Sequence, residues 1–386
     1  MFSSMAARIQ TCMQGDIRLN RTALEKGLYI LSRLYGSGIR LRNKGFEQGV
    51  LPEYRLPCRV ISVGNLTIGG SGKTPMTMFL AQHLKEAGYS TAVISRGYKG
   101  KMEKSGGVVS DGINVLAGPD QAGDEPFMMA SQVRHIPFLV GADRYKIGKT
   151  AVASFDPDVI ILDDAFQHRR LYRDIDFVMV DATVGFGNGF LLPRGIMREP
   201  KSALGRADAI VMTRSNNPDP ALAAEMSETV PYTPVFRSVN RPFLYGHISA
   251  NEKMVMNRAA PGVFGSLDVL QNARVIGFSG IARTTEFSRM VAENSGQLVD
   301  FIEFPDHYTY TSADWHRIYK SAKDFSVDYV VTTQKDYARI PAEFKSPVNL
   351  IVIGVQMDFG GDREALINYV ETFLDVSLTG HHKGVS

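Results

Sequence analysis

Residues 58–76 read Cys-Arg-Val-Ile-Ser-Val-Gly-Asn-Leu-Thr-Ile-Gly-Gly-Ser-Gly-Lys-Thr-Pro-Met. A β-branched run breaks into a turn carrying Gly69, Gly70, Ser71 and Gly72, and a helix-compatible segment follows from Met76 to Glu86. Strand, glycine loop and helix together are the context in which Gly-Lys-Thr binds phosphate: glycines let main-chain N–H groups line a concavity, and the helix start adds partial positive charge. In that role Lys73 holds the terminal phosphates and the Thr74 hydroxyl reaches Mg²⁺. Thr67 stands where such loops usually have their first glycine. Further along, Asp158-Val-Ile-Ile-Leu-Asp163-Asp164 reads as a buried strand ending in two carboxylates, Asp163 and Asp164. An acid at a strand's carboxyl end beside a phosphate loop is the metal-side partner that phosphoryl transfer needs. The glycine-rich stretch 183–200 brings Arg194 and Arg198, side chains suited to meeting phosphate.

Other candidates have weaker local signals. Asp124-Glu125-Pro126 opens a helix, where acids favour the helix dipole whether or not they do chemistry. Asp306-His307 lies in a loop, and such a pair is commonly a surface or capping pair. Thr-Thr-Gln-Lys-Asp at 332–336 loosely matches the base-reading Lys-x-Asp of GTP-binding proteins, through Lys335 and Asp336.

The elements that must position these groups alternate. Strands are expected at 91–95, 137–140, 158–163, 177–181 and 209–213, with helices between most of them, so the sheet should be mostly parallel. Residues 99–123, rich in Gly, Lys and Asp, read as an irregular loop with room for one hairpin. Prolines at 218, 220, 231, 234 and 242 mark a shift in composition, and a second run of strands and helices follows without a phosphate loop. The expected fold is therefore α/β: a P-loop NTPase-type, mostly parallel sheet domain over 51–230, a smaller α/β domain over 231–375, and a disordered tail over 376–386.

At 386 residues, two domains are the natural division. The two cysteines, Cys12 and Cys58, fit neither a disulfide framework nor a metal spacing. No apolar run is long enough to span a membrane, the start reads as lacking a secretory signal, and a net charge of +3 gives no case for nucleic acid. Residues 1–50 nevertheless hold eight basic and three acidic side chains. At helical spacing Lys26, Arg33, Arg40 and Lys44 share one face, and Leu24, Leu28, Leu31, Tyr35 and Ile39 lie opposite. Such a basic amphipathic helix suits either a membrane interface rich in anionic lipid or packing on its own domain.

The motifs now form a series: Gly-Asn-Leu-Thr-Ile-Gly-Gly-Ser-Gly-Lys-Thr-Pro (64–75), Ser-Arg-Gly-Tyr (95–98), Gly-Asp-Glu-Pro (123–126) and Asp-Asp-Ala-Phe-Gln-His-Arg-Arg-Leu (163–171). Leu-Leu-Pro-Arg-Gly-Ile-Met-Arg-Glu-Pro (191–200), Phe-Pro-Asp-His (304–307) and Thr-Gln-Lys-Asp (333–336) complete it. Over residues 20–375 the set resembles the tetraacyldisaccharide 4′-kinase family, whose loop also lacks the first glycine. Ala165, where the family usually has Gly, and Arg194 and Ile196 depart from its pattern. The resemblance implies transfer of phosphate from ATP, with Mg²⁺, to the 4′-hydroxyl of a tetraacyldisaccharide 1-phosphate, a lipid A precursor. The work would be done by a peripheral, monomeric protein at the cytoplasmic face of the inner membrane. It implies catalytic roles for Asp124 and His307, brought together by closure of two domains, and places Arg144 and Gln167 near phosphate or acceptor. The competing expectation from another class is a membrane-associated P-loop switch that binds GTP through Lys335 and Asp336. A third is a nucleotide-binding scaffold without an acceptor.

Overall fold

The computed structural model describes residues 13, 22–216, 219–250, 255–256, 265–281, 283–306, 308–340 and 346–378. A first helix, α1 (Ala23–Glu47), is set by a capping box: the Glu25 N–H donates to Thr22 Oγ1 over 3.2 Å, and the Thr22 N–H donates back to the Glu25 carboxylate over 3.0 Å. It is continuous despite Gly27, Gly36 and Gly38, because tertiary packing supplies what propensity withholds. At Gly36 the helix lies so close to Leu191 that a Cβ would stand 2.7 Å from Leu191 Cδ1.

The strands form two sheets. The first is built from β1 (Arg59–Asn65), β2 (Thr91–Ser95), β3 (Gly107–Ser110), β4 (Phe138–Val140), β5 (Val159–Asp163), β6 (Ile175–Asp181), β7 (Ala209–Thr213) and β8 (Val235–Arg237). Their spatial order is β3-β4-β2-β5-β1-β6-β7-β8, parallel throughout except β3 against β4. The helices here are α2 (Lys73–Glu86), short α3 (Met102–Ser105) and α4 (Pro119–Ala122), α5 (Asp124–Gln132), α6 (Arg144–Phe155) and α7 (Pro220–Thr229). Strands β1, β5, β6 and β7 are buried almost end to end, as expected of a parallel sheet with both faces covered. The segment expected as an irregular loop with one hairpin, 99–123, carries α3, β3 and α4, and the chain after β3 turns back on it through an antiparallel bridge from Ser110 to Val115.

The second sheet comprises β9 (Val239–Ile248), β10 (Val255–Met256), β11 (Arg274–Ser279), β12 (Gln297–Glu303), β13 (Tyr329–Thr333) and β14 (Leu350–Asp358), in the order β10-β9-β14-β13-β11-β12. Helices α8 (Thr284–Asn294), α9 (Ser312–Asp324), the short α10 (Gln334–Tyr337) and α11 (Arg363–Leu378) complete the chain.

Two boundaries differ from the sequence reading. The first sheet continues past residue 230, since β8 pairs with β7 up to Arg237. The last helix, expected in the second domain, belongs to the first: Leu366, Val370 and Leu374 lie in one core cluster with Ile61, Leu80 and Phe177. The Tyr369 hydroxyl donates to the Asp208 carbonyl over 2.9 Å, and His83 meets Glu371 at 3.1 Å. The long antiparallel pair β9–β14 carries the chain out to the second lobe and back, from Asp358 opposite Val239 to Leu350 opposite Ile248. Of the expected tail, residues 379–386 lie outside the described residues, and helix continues to Leu378.

Candidate active site

The site is assembled at the carboxyl ends of β1, β2 and β5 in the middle of the first sheet, where a parallel α/β architecture leaves its crevice. β1 runs into the glycine loop, and α2 begins at Lys73 with Gly72 in its N-cap position at φ 85°. A Cβ at Gly72 would also stand 3.1 Å from Thr213 Cγ2, so only glycine fits. Asn65 Nδ2 donates to Ser71 Oγ over 2.8 Å and Thr213 Oγ1 to the Ser71 carbonyl over 3.2 Å, which pin the loop. Thr67 has a structural reason for not being glycine. It forms an antiparallel bridge to Met197, with Ile68 N–H donating to the Ile196 carbonyl and Arg198 N–H to the Leu66 carbonyl. The start of the loop is thus extended backbone, which a β-branched residue favours.

Lys73 Nζ lies 3.7 Å from Asp164 Oδ1, so the phosphate-loop lysine and the strand-end acids share one site as expected. Asp163 is fully enclosed and accepts from Ser95 Oγ at 2.9 Å and Thr77 Oγ1 at 3.3 Å. Burial, reinforced by Glu125 and Asp164, raises its carboxyl to about 6. Burial would also raise Asp164, but Lys73 and Arg198 outweigh it and hold that carboxyl below its usual range. Thr74 is buried in the first turn of α2. A buried and a half-buried carboxylate crowded beside a helix-start hydroxyl are a donor set that suits a hard divalent cation needing few protein ligands. Among the described residues no group of three or more His, Cys, Asp or Glu side chains converges as a dedicated metal cage.

The remaining expected residues divide. Arg198 donates from Nη1 to both Asp164 oxygens, at 2.9 and 3.1 Å, and lies 3.4 Å from Gln167 Oε1. Gln167 donates to the Asn65 carbonyl over 2.8 Å, so both residues are at the site. Arg144 is buried within electrostatic reach of Asp163 and Asp164, and desolvation lowers its guanidinium to about 10. Its Nη1 donates to the carbonyls of Gly141 and Ala142 at 3.2 Å. Arg194 departs from the expectation that it meets phosphate. It is wholly buried, with its guanidinium 5.1 Å from the Phe190 ring centroid, and it holds the 183–200 loop from within.

Asp124 opens α5 and faces the second lobe, where Arg339 Nε donates to Asp124 Oδ2 over 3.0 Å. Next to it Glu125 pairs with Lys335. Lys335 lowers the Glu125 carboxyl; burial alone would depress the Lys335 ammonium, but Glu125 keeps it raised. This corrects the base-reading expectation for Lys335 and Asp336. Asp336 is fully buried and accepts from Gly280 N–H at 3.0 Å, Tyr310 Oη at 2.8 Å and Thr333 Oγ1 at 2.6 Å, so it is an internal anchor. His307 lies outside the described residues; its neighbour Asp306 is within electrostatic reach of Lys335. Ser95, Thr77, Glu125 and Arg339 were not singled out from sequence. Glu125 and Ser95 had a signal, their places in the Gly-Asp-Glu-Pro and Ser-Arg-Gly-Tyr motifs.

Helix α1 closes one side of the site. The Tyr35 hydroxyl donates to the Arg198 carbonyl over 2.9 Å, and Asn43 Nδ2 to the buried Glu199 over 2.8 Å. Its outward surface departs from the expected pattern: Ile30, Leu31, Leu34 and Leu41 are more than half exposed, and the packed face is made by Leu28, Ser32, Gly36 and Asn43. No helix among the described residues is long and apolar enough to cross a membrane.

A mostly parallel sheet with a Gly-Lys-Thr loop and strand-end acids, with a second lobe in contact beside them, defines a P-loop phosphotransferase of the α/β class. The sequence profile described as tetraacyldisaccharide-1-P 4'-kinase matches residues 24–375. A curated tetraacyldisaccharide 4'-kinase from Syntrophus aciditrophicus is 38% identical over 350 residues, covering 88% of this chain and 91% of the relative. One from Desulfatibacillum aliphaticivorans is 34% identical over 362 residues, covering 92% and 95%. The crystal structure of LpxK from Aquifex aeolicus in complex with ATP superposes with a TM-score of 0.67 at 30% identity, over 91% of this chain and 99% of that one. The chain belongs to the tetraacyldisaccharide 4′-kinase family.

Proposed function

We propose that the chain transfers the γ-phosphoryl group of ATP to the 4′-hydroxyl of a tetraacyldisaccharide 1-phosphate in lipid A biosynthesis. The observation that carries the reading is the convergence of Lys73, Asp163 and Asp164 at the carboxyl ends of the central strands, near the acid pair that opens α5. In this reading the main-chain N–H groups of residues 69–74 and Lys73 hold the phosphates, and Thr74 with Asp163 and Asp164 would hold Mg²⁺, which neutralises charge on the phosphates when bound. Asp124 accepts the proton of the 4′-hydroxyl as its oxygen bonds to the γ-phosphorus. The bond to the bridging oxygen breaks, and ADP leaves with that electron pair. His307 supports Asp124 in that role, while Arg198, Gln167 and Arg144 organise the charge around the transferred group.

The acceptor is a lipid, so the reaction belongs at a bilayer surface. The exposed stripe Ile30, Leu31, Leu34 and Leu41, flanked by exposed Lys26, Arg33, Arg40 and Lys44, suits peripheral docking on the anionic cytoplasmic leaflet of the inner membrane by a monomer. Transfer of label from γ-labelled ATP to the disaccharide acceptor tests the reading. Asp124→Asn and His307→Ala should each cut turnover while ATP still binds, and wild-type rates in both would remove the assigned mechanism. ATP should also outcompete GTP for the site, since the family match and the burial of Asp336 both speak against a guanine reader.

A further inference from the structure

The Thr-Gln-Lys-Asp motif has so far no place in the chemistry. It begins at the carboxyl end of β13 in the second lobe and leads, within a turn of helix, to Arg339. Arg339 is only 7% exposed although it crosses between lobes. Its guanidinium reaches several groups at once: Nε donates to Asp124 Oδ2 at 3.0 Å, Nη1 to the Gly280 carbonyl at 3.0 Å, and Nη1 to Asp336 Oδ1 at 3.4 Å. Asp336 is itself fixed by Gly280 N–H, Thr333 Oγ1 and the Tyr310 hydroxyl, and Tyr310 is packed among Phe278, Phe304 and Trp315. A rigid aromatic core therefore sets a buried carboxylate, the carboxylate sets a guanidinium, and the guanidinium sets Asp124. On the same segment Lys335 meets Glu125, so two cations of the second lobe meet two adjacent acids of the first.

We propose that Arg339 is a positioning residue for phosphoryl transfer, reaching across from the second lobe to fix the plane of the Asp124 carboxylate. The inference rests on the reading of Asp124 as proton acceptor. A carboxylate at a helix start can rotate, and proton transfer from an alcohol needs one orientation of it. Holding one oxygen on a preorganised fork removes that freedom, and only with the second lobe against the first is the contact made. Arginine suits the task because a planar guanidinium can serve an acid, a carbonyl and a second acid from fixed directions, which an ammonium cannot.

The test uses the full chain with Mg·ATP and the disaccharide acceptor. Arg339→Ala should lower kcat by roughly 10²-fold, the scale of a misplaced catalytic group, with the KM for ATP little changed. Millimolar guanidinium should restore part of that loss, and sodium chloride at equal ionic strength should not. Arg339→Lys, a milder variant, should melt near the wild type yet lose at least about tenfold in kcat. Wild-type kcat in Arg339→Lys overturns the inference, as does an Arg339→Ala loss that guanidinium leaves untouched. Asp124→Asn separates the two readings. If it is inactive while Arg339→Ala turns over normally, the positioning role fails and the base stands; if it keeps full activity, the base fails and the positioning role with it.

Discussion

The Tyr35 hydroxyl donates to the main-chain carbonyl of Arg198, joining the N-terminal helix to the residue whose guanidinium grips Asp164. The helix is therefore tied to the candidate site as well as being a candidate membrane contact. One neutral hydrogen bond is worth about 1 kcal/mol, so Tyr35→Phe should barely alter the melting temperature. Its effect should appear as a loss of about fivefold in kcat/KM, because Arg198 is no longer steadied from behind. An unchanged kcat/KM would make the helix a passive neighbour of the site.

Glu199 offers a stronger lever on the same seam. It is wholly buried and takes hydrogen bonds from Asn43 and Arg206, with Arg42 at 3.5 Å. Arg206→Met removes its main charged partner while leaving the carboxylate inside. Removing one member of a buried pair costs about 3 kcal/mol or more, against only a fraction of that for an exposed one. Urea denaturation should register that loss, and Glu199→Gln on the Arg206→Met background should recover part of it.

Much of the nucleotide edge was legible because its logic is local. A strand, three glycines, Lys73 and Thr74 follow one another within a few residues, and so do β5 and its two acids. Arg339 was invisible for the opposite reason, since its meaning depends on Asp124 lying 215 residues away. Arg194 misled because charge was equated with solvent, whereas its guanidinium is sheltered over Phe190. The exposed Leu31 misled in the mirror sense: heptad-like spacing marks an apolar face but not what covers it. The last helix was assigned to the wrong lobe because β14 carries the chain back to the first core, a return no composition shift announces.

Lys73→Ala should separate binding from folding. Lys73 is largely buried and balances Asp164 together with Arg198, so Arg198 still holds that carboxylate in the variant. The fold should persist, while ATP affinity and turnover fall, the latter by at least about 10²-fold as for other preorganised charge donors. A fluorescent ATP analogue measures the first and label transfer the second; a variant that still phosphorylates at the wild-type rate would sink the assignment of the phosphate loop.

His168 supplies a pH dependence. It lies partly buried near Arg144, Arg173 and Arg170, and desolvation followed by those charges lowers its imidazole to about 4 from 6.5. In the unfolded chain it takes up a proton around pH 6.5, and in the folded one only near 4. Between those values the unfolded state binds more protons, so stability must fall as pH drops through that window, by up to about 3 kcal/mol from this residue. Melting temperatures taken between pH 7 and 4 should decline, and His168→Gln should flatten the decline. An unaltered slope in the variant would place the acid sensitivity elsewhere.

The outward stripe on α1 makes the last prediction. Ile30, Leu31, Leu34 and Leu41 leave large apolar area in water on a helix whose other face is tied to Arg198 and Glu199 of the 183–200 loop. Fully burying one such side chain is worth about 2 kcal/mol. Placing Ile30 and Leu34 in an acyl boundary would thus add several kcal/mol to membrane binding, while the row of Lys26, Arg33, Arg40 and Lys44 adds a part that salt screens. Ile30→Glu with Leu34→Glu should reduce sedimentation with vesicles containing anionic lipid by roughly 10²-fold in affinity, on the scale of 1.4 kcal/mol per tenfold. Lys26→Gln with Arg33→Gln should weaken binding mainly at low salt. Since the packed residues Leu28, Ser32, Gly36 and Asn43 are untouched, phosphorylation of a short-chain soluble acceptor should stay near the wild-type rate. If the double glutamate variant still binds vesicles as tightly as the wild type, the stripe is not the membrane contact, and the exposed leucines need another partner.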